Sequence, residues 1–284
     1  MEPVSVGLIG AGPWAEAVHA PMLASGPHTR LAGVWARRPE AAARLGAPVY
    51  ERVEELFEVC EAVAFCVPPG VQAELAVQAA KAGKALLLEK PLAADLDSAR
   101  RVADAVGEAA VASQMVLTFR YAPATREFLE RASEIEAFGG YAVNVSGALH
   151  TIDSPWRRER GAILDVGPHM IDLLDAALGR VTGVRAHGDP LGWTGLLLEH
   201  ETGAVSEASL SMAARAEDEG VSHVEVFGRR GRASLGGDSL GPDVFPAMVA
   251  EFAETVRRGG GHPLDARHGL RLQQIITAAE TQLT

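Results

Sequence analysis

The chain has few cysteines and no long apolar run. Its 284 residues include two cysteines, Cys60 and Cys66, in the segment CEAVAFC, which has neither the spacing nor the further ligands of a zinc site. Both are therefore predicted to be buried hydrophobic residues. No run of 18 or more apolar residues occurs, and MEPVSVGLIG lacks the basic lead and apolar core of a signal peptide. These absences argue against a disulfide framework and a membrane protein, and they predict a cytoplasmic location.

Basic charge is also in short supply. The chain has 26 Lys and Arg residues against 37 Asp and Glu residues, for a net charge of −11. Nucleic acids and anionic membranes select basic surfaces, so neither is expected as a partner, and a small-molecule substrate is favoured. Only three of the basic residues are lysines, Lys81, Lys84 and Lys90. Since lysine is rare in this chain, Lys90 at the end of a predicted strand is a candidate for a specific role.

What the sequence does contain is a regular alternation of apolar runs and amphipathic segments. From residue 4 to about 120 this alternation predicts a parallel sheet built from strand-helix-strand units. From 141 to 236 several strand-like runs follow with little helix between them, which indicates a mostly antiparallel sheet. We therefore predict an α/β chain: a doubly wound Rossmann dinucleotide-binding domain at 1–120, then an α+β domain at 121–284 with an open sheet. The second domain would bind substrate, mediate oligomerisation and include the two C-terminal helices.

A glycine-rich turn follows the first predicted strand. In VGLIGAGPWAEAVHAPML, Gly10, Gly12 and Ala15 form the pattern G-x-G-x-x-[G/A] between a strand and a helix. The first glycine permits a tight turn, the second lets backbone approach a pyrophosphate, and the small third residue lets the helix pack closely. The sequence therefore predicts a dinucleotide site.

The residues at the end of the second predicted strand indicate which dinucleotide binds. An NAD site commonly has an acidic residue there for the ribose 2′-hydroxyl, whereas this chain has Ala36, Arg37 and Arg38. Arginine can grip a phosphate with two parallel hydrogen bonds, so the pair favours NADP(H), with NAD(H) still possible. The alternative is a solvated pair ahead of a helix that begins at Pro39, with Glu40 placed there by the helix dipole.

Five motifs together carry a family resemblance. They are GLIGAGPWAEAVHAPML, CVPPGVQAELAVQAAKAGKALLLEKPLA, FRYAP, SPWRRERGAILDVGPHMIDLL and HPLDARHGLRLQQIITAAE. The chain resembles the glucose-fructose oxidoreductase, inositol dehydrogenase and rhizopine-catabolism (Gfo/Idh/MocA) family of NAD(P)-dependent oxidoreductases. The resemblance implies hydride transfer between the nicotinamide and a secondary alcohol or ketone of a sugar, sugar derivative or cyclitol. It also implies a homodimer or homotetramer formed through the open sheet face.

The resemblance makes Glu89, Lys90 and Pro91 the family's E-K-P motif. Ligands of open α/β sheets lie beyond the carboxyl ends of the strands, where Lys90 would project, with Glu89 near enough to orient it. Lysine, unlike arginine, can exchange a proton with a substrate hydroxyl. Lys90 is therefore predicted to be catalytic, and a strand-end ion pair with Glu89 is the alternative. Relatives often have a cis peptide bond before this proline, which the sequence cannot show.

The segment GAILDVGPHMIDLL matches the family's G-x-x-x-D-x-x-x-H motif. We predict one helix over GAILDVGPHMIDLLDAALG, which would place Asp165, His169 and Asp172 on one face. The resemblance makes His169 the acid/base, Asp165 a polar partner that orients substrate or catalytic groups, and Asp172 a supporting residue. A packed or solvated histidine is the alternative. No further ligand accompanies them in a recognisable pattern, so no metal is predicted.

The remaining site residues are implied by their motif positions. Arg120 sits where relatives often have a substrate-pocket arginine, and Trp156 and Arg157 match a W-R pair near cofactor or substrate. Gln72 departs from the family pattern, because many relatives have histidine there. The full predicted cofactor set is Gly10, Gly12, Pro13, Trp14, Ala15, Arg37, Arg38, Pro68, Gln72, Glu89, Lys90, Trp156 and Arg157.

Two other functions remain open from the sequence. A non-catalytic NADP-binding regulator can keep this fold, and an imine or biliverdin-type reductase can use it on other substrates. The joint presence of Lys90, Asp165 and His169 favours the enzyme. A second departure, a shortened connection around RAHGDPLGWTG, predicts a more open substrate pocket and leaves the substrate class in question.

Overall fold

The computed structural model describes residues 2–151, 154–214, 220–237 and 240–283. The strands are β1 (Val4–Ile9), β2 (Thr29–Trp35), β3 (Ala62–Phe65), β4 (Ala85–Leu88), β5 (Ser113–Met115), β6 (Ala137–Val145), β7 (Val181–Gly188), β8 (Thr194–His200), β9 (Val205–Ser211), β10 (Val221–Gly228) and β11 (Gly231–Gly236). The helices are α1 (Ala20–Ala24), α2 (Pro39–Ala42), α3 (Val53–Glu58), α4 (Pro69–Lys81), α5 (Leu96–Ala109), α6 (Pro123–Glu134), α7 (Pro155–Asp165), α8 (Gly167–Leu178), α9 (Val244–Arg258) and α10 (Ala266–Glu280). A π-helical turn, Ala15–His19, precedes α1, and short 3₁₀ turns lie at Ala43–Leu45, Thr118–Tyr121 and Ala148–His150.

The chain forms two compact units. The first contains Met1–Val116 and Phe245–Arg271, and the second contains Leu117–Val244 and Leu272–Thr284. This division differs from the predicted domains, because most of α9 and the start of α10 belong with the first sheet. Edge strand β5 is the reason: the Met115 N–H donates to the Leu264 carbonyl at 2.7 Å, and Gln114 Nε2 donates to the Met248 carbonyl at 3.0 Å. Helix periodicity shows that a face is buried but not which sheet it covers.

The first unit is built on a parallel sheet of five strands, in the order β2-β1-β3-β4-β5 among the described residues. Strands β1, β3 and β4 are buried along their whole length, which is why β3 and β4 have continuous apolar sequences. The neighbours β2 and β3 flank β1, so the strand order reverses at the carboxyl end of β1, where open α/β sheets bind ligands. The three strand ends lie side by side, because the Gly10 N–H donates to the Trp35 carbonyl at 2.9 Å and the Cys66 N–H to the Ile9 carbonyl at 2.8 Å.

The second unit is built on a mixed sheet with the order β11-β10-β6-β9-β8-β7 in the described part of the chain. Strands β6 and β9 pair in parallel and the other neighbours pair antiparallel. Helices α6 and α8 pack against this sheet. Alternate residues such as Leu198 and Leu210 are fully buried, whereas Leu197, Val221 and Phe227 lie exposed. The predicted fold class, a Rossmann sheet followed by a mostly antiparallel open sheet, is confirmed.

The predicted helix over GAILDVGPHMIDLLDAALG is two helices, α7 and α8, and this part of the prediction is wrong. Pro168 lies in the first turn of α8, where its missing N–H and fixed φ suit a helix start and not a helix interior. Gly161 interrupts α7 with φ +65°, and a Cβ there would lie 1.8 Å from the Pro190 carbonyl oxygen. Asp165 therefore ends one helix, while His169 and Asp172 lie on the next. Across the described ranges, no helix is both long and apolar enough to cross a bilayer.

Candidate active site

The glycine turn has the shape that a dinucleotide phosphate requires. Gly10 has φ +118°, and a Cβ there would lie 2.1 Å from the Cys66 carbonyl oxygen, so only glycine fits. A Cβ on Gly12 would meet nothing within 4 Å, so its backbone is open to close approach. Ala15 is fully buried, and Trp14 is 48% exposed. These residues, with Pro13 between them, fit the predicted cofactor cradle.

Two exposed arginines follow the end of β2. Arg37 and Arg38 come directly after the strand end that is hydrogen-bonded to Gly10, and both are exposed. Arg38 has an extended backbone, and Pro39 then begins α2. Both arginines therefore follow a strand end that lies beside the glycine turn, which is the sequence position predicted to bind a 2′-phosphate.

Glu89 is held by the segment that follows the glycine turn. One oxygen, Oε1, accepts hydrogen bonds from Trp14 Nε1 at 3.0 Å and from His19 Nε2 at 2.8 Å. The other, Oε2, accepts from the Lys90 backbone N–H at 3.2 Å. The peptide bond between Lys90 and Pro91 is cis. The motif residues thus leave β4 in a fixed conformation next to the predicted cofactor turn.

These contacts keep Glu89 ionised. Burial alone would raise the pKa of this carboxyl group, but the hydrogen bond from His19, the nearby charge of Lys90 and the hydrogen bond from Trp14 outweigh it. The pKa of Glu89 is therefore lowered. An ionised carboxylate only accepts hydrogen bonds, so both ring N–H groups must be the donors.

The Gln72 side chain holds the backbone of the E-K-P segment through hydrogen bonds. Its Nε2 lies 2.7 Å from the Glu89 carbonyl, 3.2 Å from the Pro91 carbonyl and 3.0 Å from the Leu92 carbonyl, and its Oε1 accepts from the Glu89 N–H at 2.9 Å. The side chain is 1% exposed. This placement differs from the predicted cofactor contact, because the amide is used on the backbone of the E-K-P segment. Pro68, which precedes α4, accepts from the Gln72 N–H at 2.9 Å.

In the second unit, Asp165 is paired with Arg157. The Arg157 Nε donates to Asp165 Oδ2 at 2.9 Å, and the guanidinium lies 4.4 Å from the ring centroid of Trp156. The Asp165 side chain is 7% exposed. Arg157 was predicted near the cofactor or substrate, and its visible role is to anchor the carboxylate at the end of α7.

His169 and Asp172 lie on α8 and contact the Thr118–Tyr121 turn. The ring of Phe119 meets the His169 imidazole edge-to-face, with centroids 5.3 Å apart. Arg120 Nη1 donates to Asp172 Oδ1 at 2.8 Å, and that carboxylate is 1% exposed. The turn therefore contacts both the predicted acid/base and its supporting carboxylate, and Arg120 forms an ion pair with Asp172.

Sequence reasoning missed His19 and Phe119 as parts of the site. His19 is fully buried on an apolar segment, where a histidine reads as core. Its contact with Glu89 spans 70 positions, and no short-range spacing signals it. Among the described residues, no group of three or more His, Cys, Asp or Glu side chains is arranged to hold a metal ion. The catalytic and binding roles of the site residues stay predictions.

Comparison with known proteins agrees with this architecture. A family model described as an oxidoreductase family with an NAD-binding Rossmann fold matches residues 4–116, and the Gfo/Idh/MocA C-terminal domain matches residues 141–234. Glucose-6-phosphate 3-dehydrogenase of Bacillus subtilis is 27% identical over 183 residues, which cover 60% of this chain and 52% of that enzyme. The NADP(+)-dependent scyllo-inositol 2-dehydrogenase IolW of the same organism is 21% identical over 337 residues, covering 98% and 93%. The chain spans only 58% and 52% of the first two curated relatives.

Solved structures share the fold. GenD2 from gentamicin A biosynthesis, in complex with NAD, has a TM-score of 0.87 at 21% identity, covering 99% of this chain and 94% of that one. The 3-ketoreductase KijD10 of Actinomadura kijaniata, in complex with NADP, has a TM-score of 0.82 at 22% identity, covering 99% and 98%. With both domain models matched in order along the chain, this protein belongs to the Gfo/Idh/MocA family of oxidoreductases with an NAD-binding Rossmann fold.

Proposed function

We propose that this protein transfers a hydride reversibly between NADP(H) and a secondary alcohol or ketone of a sugar, sugar derivative or cyclitol. The observation that carries the proposal is the E-K-P strand end, where Lys90 leaves β4 on a backbone held by Gln72 and by the Glu89 carboxylate. Relatives named for glucose 6-phosphate, galactose, levoglucosan and scyllo-inositol support the substrate class.

The cofactor choice rests on charge. The open backbone at Gly12 fits a pyrophosphate, and Arg37 and Arg38 are suited to a 2′-phosphate, which NAD(H) lacks. When bound, the nicotinamide accepts or supplies the hydride. The protein's own residues would bind and orient it.

We assign proton transfer to Lys90 and His169. Lys90 would donate to, or exchange a proton with, the substrate oxygen, which a compact ammonium can do and a guanidinium cannot. His169, its ring oriented by Phe119, would act as the acid/base on the alcohol, and Asp165 with Arg157 would orient polar groups of the substrate or of the site.

The open sheet face supports self-association. Val205, Val221 and Phe227 are 46%, 56% and 39% exposed on β9 and β10. An exposed apolar patch on a sheet is a common site of subunit contact. We include a homodimer or homotetramer through this face in the proposal.

Cofactor affinities test the first part. We expect NADP(H) to bind at least about tenfold more tightly than NAD(H), a difference of about 1.4 kcal/mol. The double variant Arg37→Ala/Arg38→Ala should remove that preference. Arg100→Ala/Arg101→Ala is the matched control, since it removes an adjacent exposed arginine pair from α5 of the same unit. Equal affinities in the wild type, or an unchanged preference in the double variant, would refute NADP(H) selectivity.

A panel of sugars, sugar phosphates and cyclitols, assayed at 340 nm with bound NADP(H), tests the chemistry. We expect turnover with at least one class. Binding of NADP(H) with no turnover on any of these would contradict the enzyme assignment.

A further inference from the structure

The Glu89 carboxylate joins two functional segments of the first unit. One of its oxygens is held by Trp14 and His19, which follow the glycine turn, and the other is held by the backbone of Lys90. Four polar groups of one residue are thereby fixed, because Gln72 binds both the N–H and the carbonyl of Glu89. The backbone and the side chain of Glu89 are therefore both held, and the next residue in the chain is Lys90.

His19 buries a polar side chain at a position where an apolar one would cost less free energy. The side chain is fully buried, and its Nδ1 has no hydrogen-bond partner within the described residues. Because Glu89 is ionised and only accepts hydrogen bonds, the His19 Nε2 must carry a proton. A leucine would occupy similar space with no buried polar nitrogen. Unlike leucine, histidine at this position supplies a hydrogen-bond donor to Glu89.

We propose that His19 and Trp14 are positioning residues for Lys90, acting through Glu89. Their two N–H groups hold the carboxylate toward the glycine-turn segment. The carboxylate in turn fixes the Lys90 backbone, and its position sets the strength of its attraction for the Lys90 ammonium. The proposal rests on the proposed role of Lys90.

The physical reason is competition for one carboxylate. Opposite charges on neighbouring residues attract strongly where water is partly excluded, and the Glu89 side chain is 14% exposed. Without its two ring donors, the carboxylate is free to rotate toward the Lys90 ammonium. A lysine drawn onto a carboxylate is displaced from its substrate-facing position, and a misplacement of about 1 Å can cost about 10²-fold in rate.

The scarcity of lysine makes a direct test practical. Reductive methylation with ¹³C-formaldehyde labels Lys81, Lys84, Lys90 and the amino terminus. The Lys90 signal is assigned from its loss in Lys90→Met. Lys84, whose Nζ donates to the Cys60 carbonyl at 3.0 Å, is an internal reference in the same unit.

We expect His19→Leu and Trp14→Phe to shift the Lys90 methyl signal and leave the Lys84 signal in place. His19→Gln should restore the wild-type shift, because the glutamine amide can place a donor near the Nε2 position. Thr29→Val is the control: it removes a different buried hydrogen bond, from Thr29 Oγ1 to the Leu23 carbonyl at 2.9 Å, and should leave Lys90 unchanged. Trp14 is half exposed, so Trp14→Phe retains the fold if His19→Leu does not.

In turnover assays of the unlabelled variants, His19→Leu should lower kcat by about tenfold or more, within the range that misorientation produces, with little change in the Kd for NADP(H). A Lys90 signal that stays in place in both variants, or a kcat loss no larger than that of Thr29→Val, overturns the positioning role. A Lys90→Arg variant with full turnover overturns the proposed function instead, so the two failures are distinguishable.

Discussion

At the scale of single residues, lysine at position 90 gives the sharpest test of the chemistry. Lys90→Arg and Lys90→Met should keep NADP(H) affinity and lose most turnover, because a guanidinium keeps the charge but does not readily release a proton. Initial rates and cofactor Kd values check this. Lys84→Arg is the matched control and should be silent, since it only replaces a donor to the Cys60 carbonyl. Near wild-type turnover in Lys90→Arg would show that the residue is only a structural cation.

His169 provides the second residue-scale test. His169→Ala should lower kcat by about 10²- to 10⁴-fold, the usual contribution of a general acid or base, and leave the Kd for NADP(H) within about twofold. The exposed His187 supplies a control, His187→Ala, with unchanged kinetics expected. A loss below about tenfold would demote His169 to packing against Phe119.

Site residues that lie within one short motif can be predicted from the sequence, whereas contacts between residues far apart in the chain cannot. The glycine turn, the E-K-P segment and the Asp165–His169 spacing are local patterns, and all were found. The hydrogen bond between His19 and Glu89 joins residues 70 positions apart, and the backbone contacts of Gln72 join residues 17 to 20 apart. No periodicity carries such contacts, so Gln72 was predicted at the cofactor and His19 was not singled out.

At the scale of elements, Gln72 should act as a structural tie between α4 and the end of β4. Gln72→Leu leaves several buried backbone groups without their partner, and each costs about 1–3 kcal/mol of unfolding free energy. Denaturant unfolding measures the loss. Gln78→Leu, an exposed position on the same helix, should change stability by less than about 0.5 kcal/mol. Equal effects from the two variants would contradict the tie.

The sequence predicts where helices and strands occur better than it predicts which unit each one joins. Apolar periodicity predicts the strands and most helices, but it merges α7 with α8, because the apolar pattern continues across Pro168, which begins a new helix. The predicted second domain includes α9, whereas most of α9 groups with the first sheet. The grouping depends on the edge strand β5, where the Gln114 side-chain amide donates to the Met248 carbonyl of α9, and such a contact is invisible in the helix's own sequence.

At the scale of the whole molecule, the open sheet face predicts the oligomeric state. Val221→Asp places a charge on an apolar, 56% exposed position of β10 and should shift the mass measured by light scattering toward the monomer. Val59→Asp, at a 39% exposed position after α3, is the control and should leave the mass unchanged. A wild-type monomer, or an unaltered oligomer in Val221→Asp, would contradict association through this face.

The first unit draws its residues from two distant parts of the chain, up to Val116 and then Phe245–Arg271. During translation, β5 leaves the ribosome long before Leu264 and Met248, which hydrogen-bond to it, have been made. The nascent sheet must therefore wait with its last strand uncovered while more than a hundred further residues emerge. An exposed strand edge invites pairing with other chains. The risk of aggregation during synthesis thus concentrates on β5, and it ends only after Met248 and Leu264 have emerged.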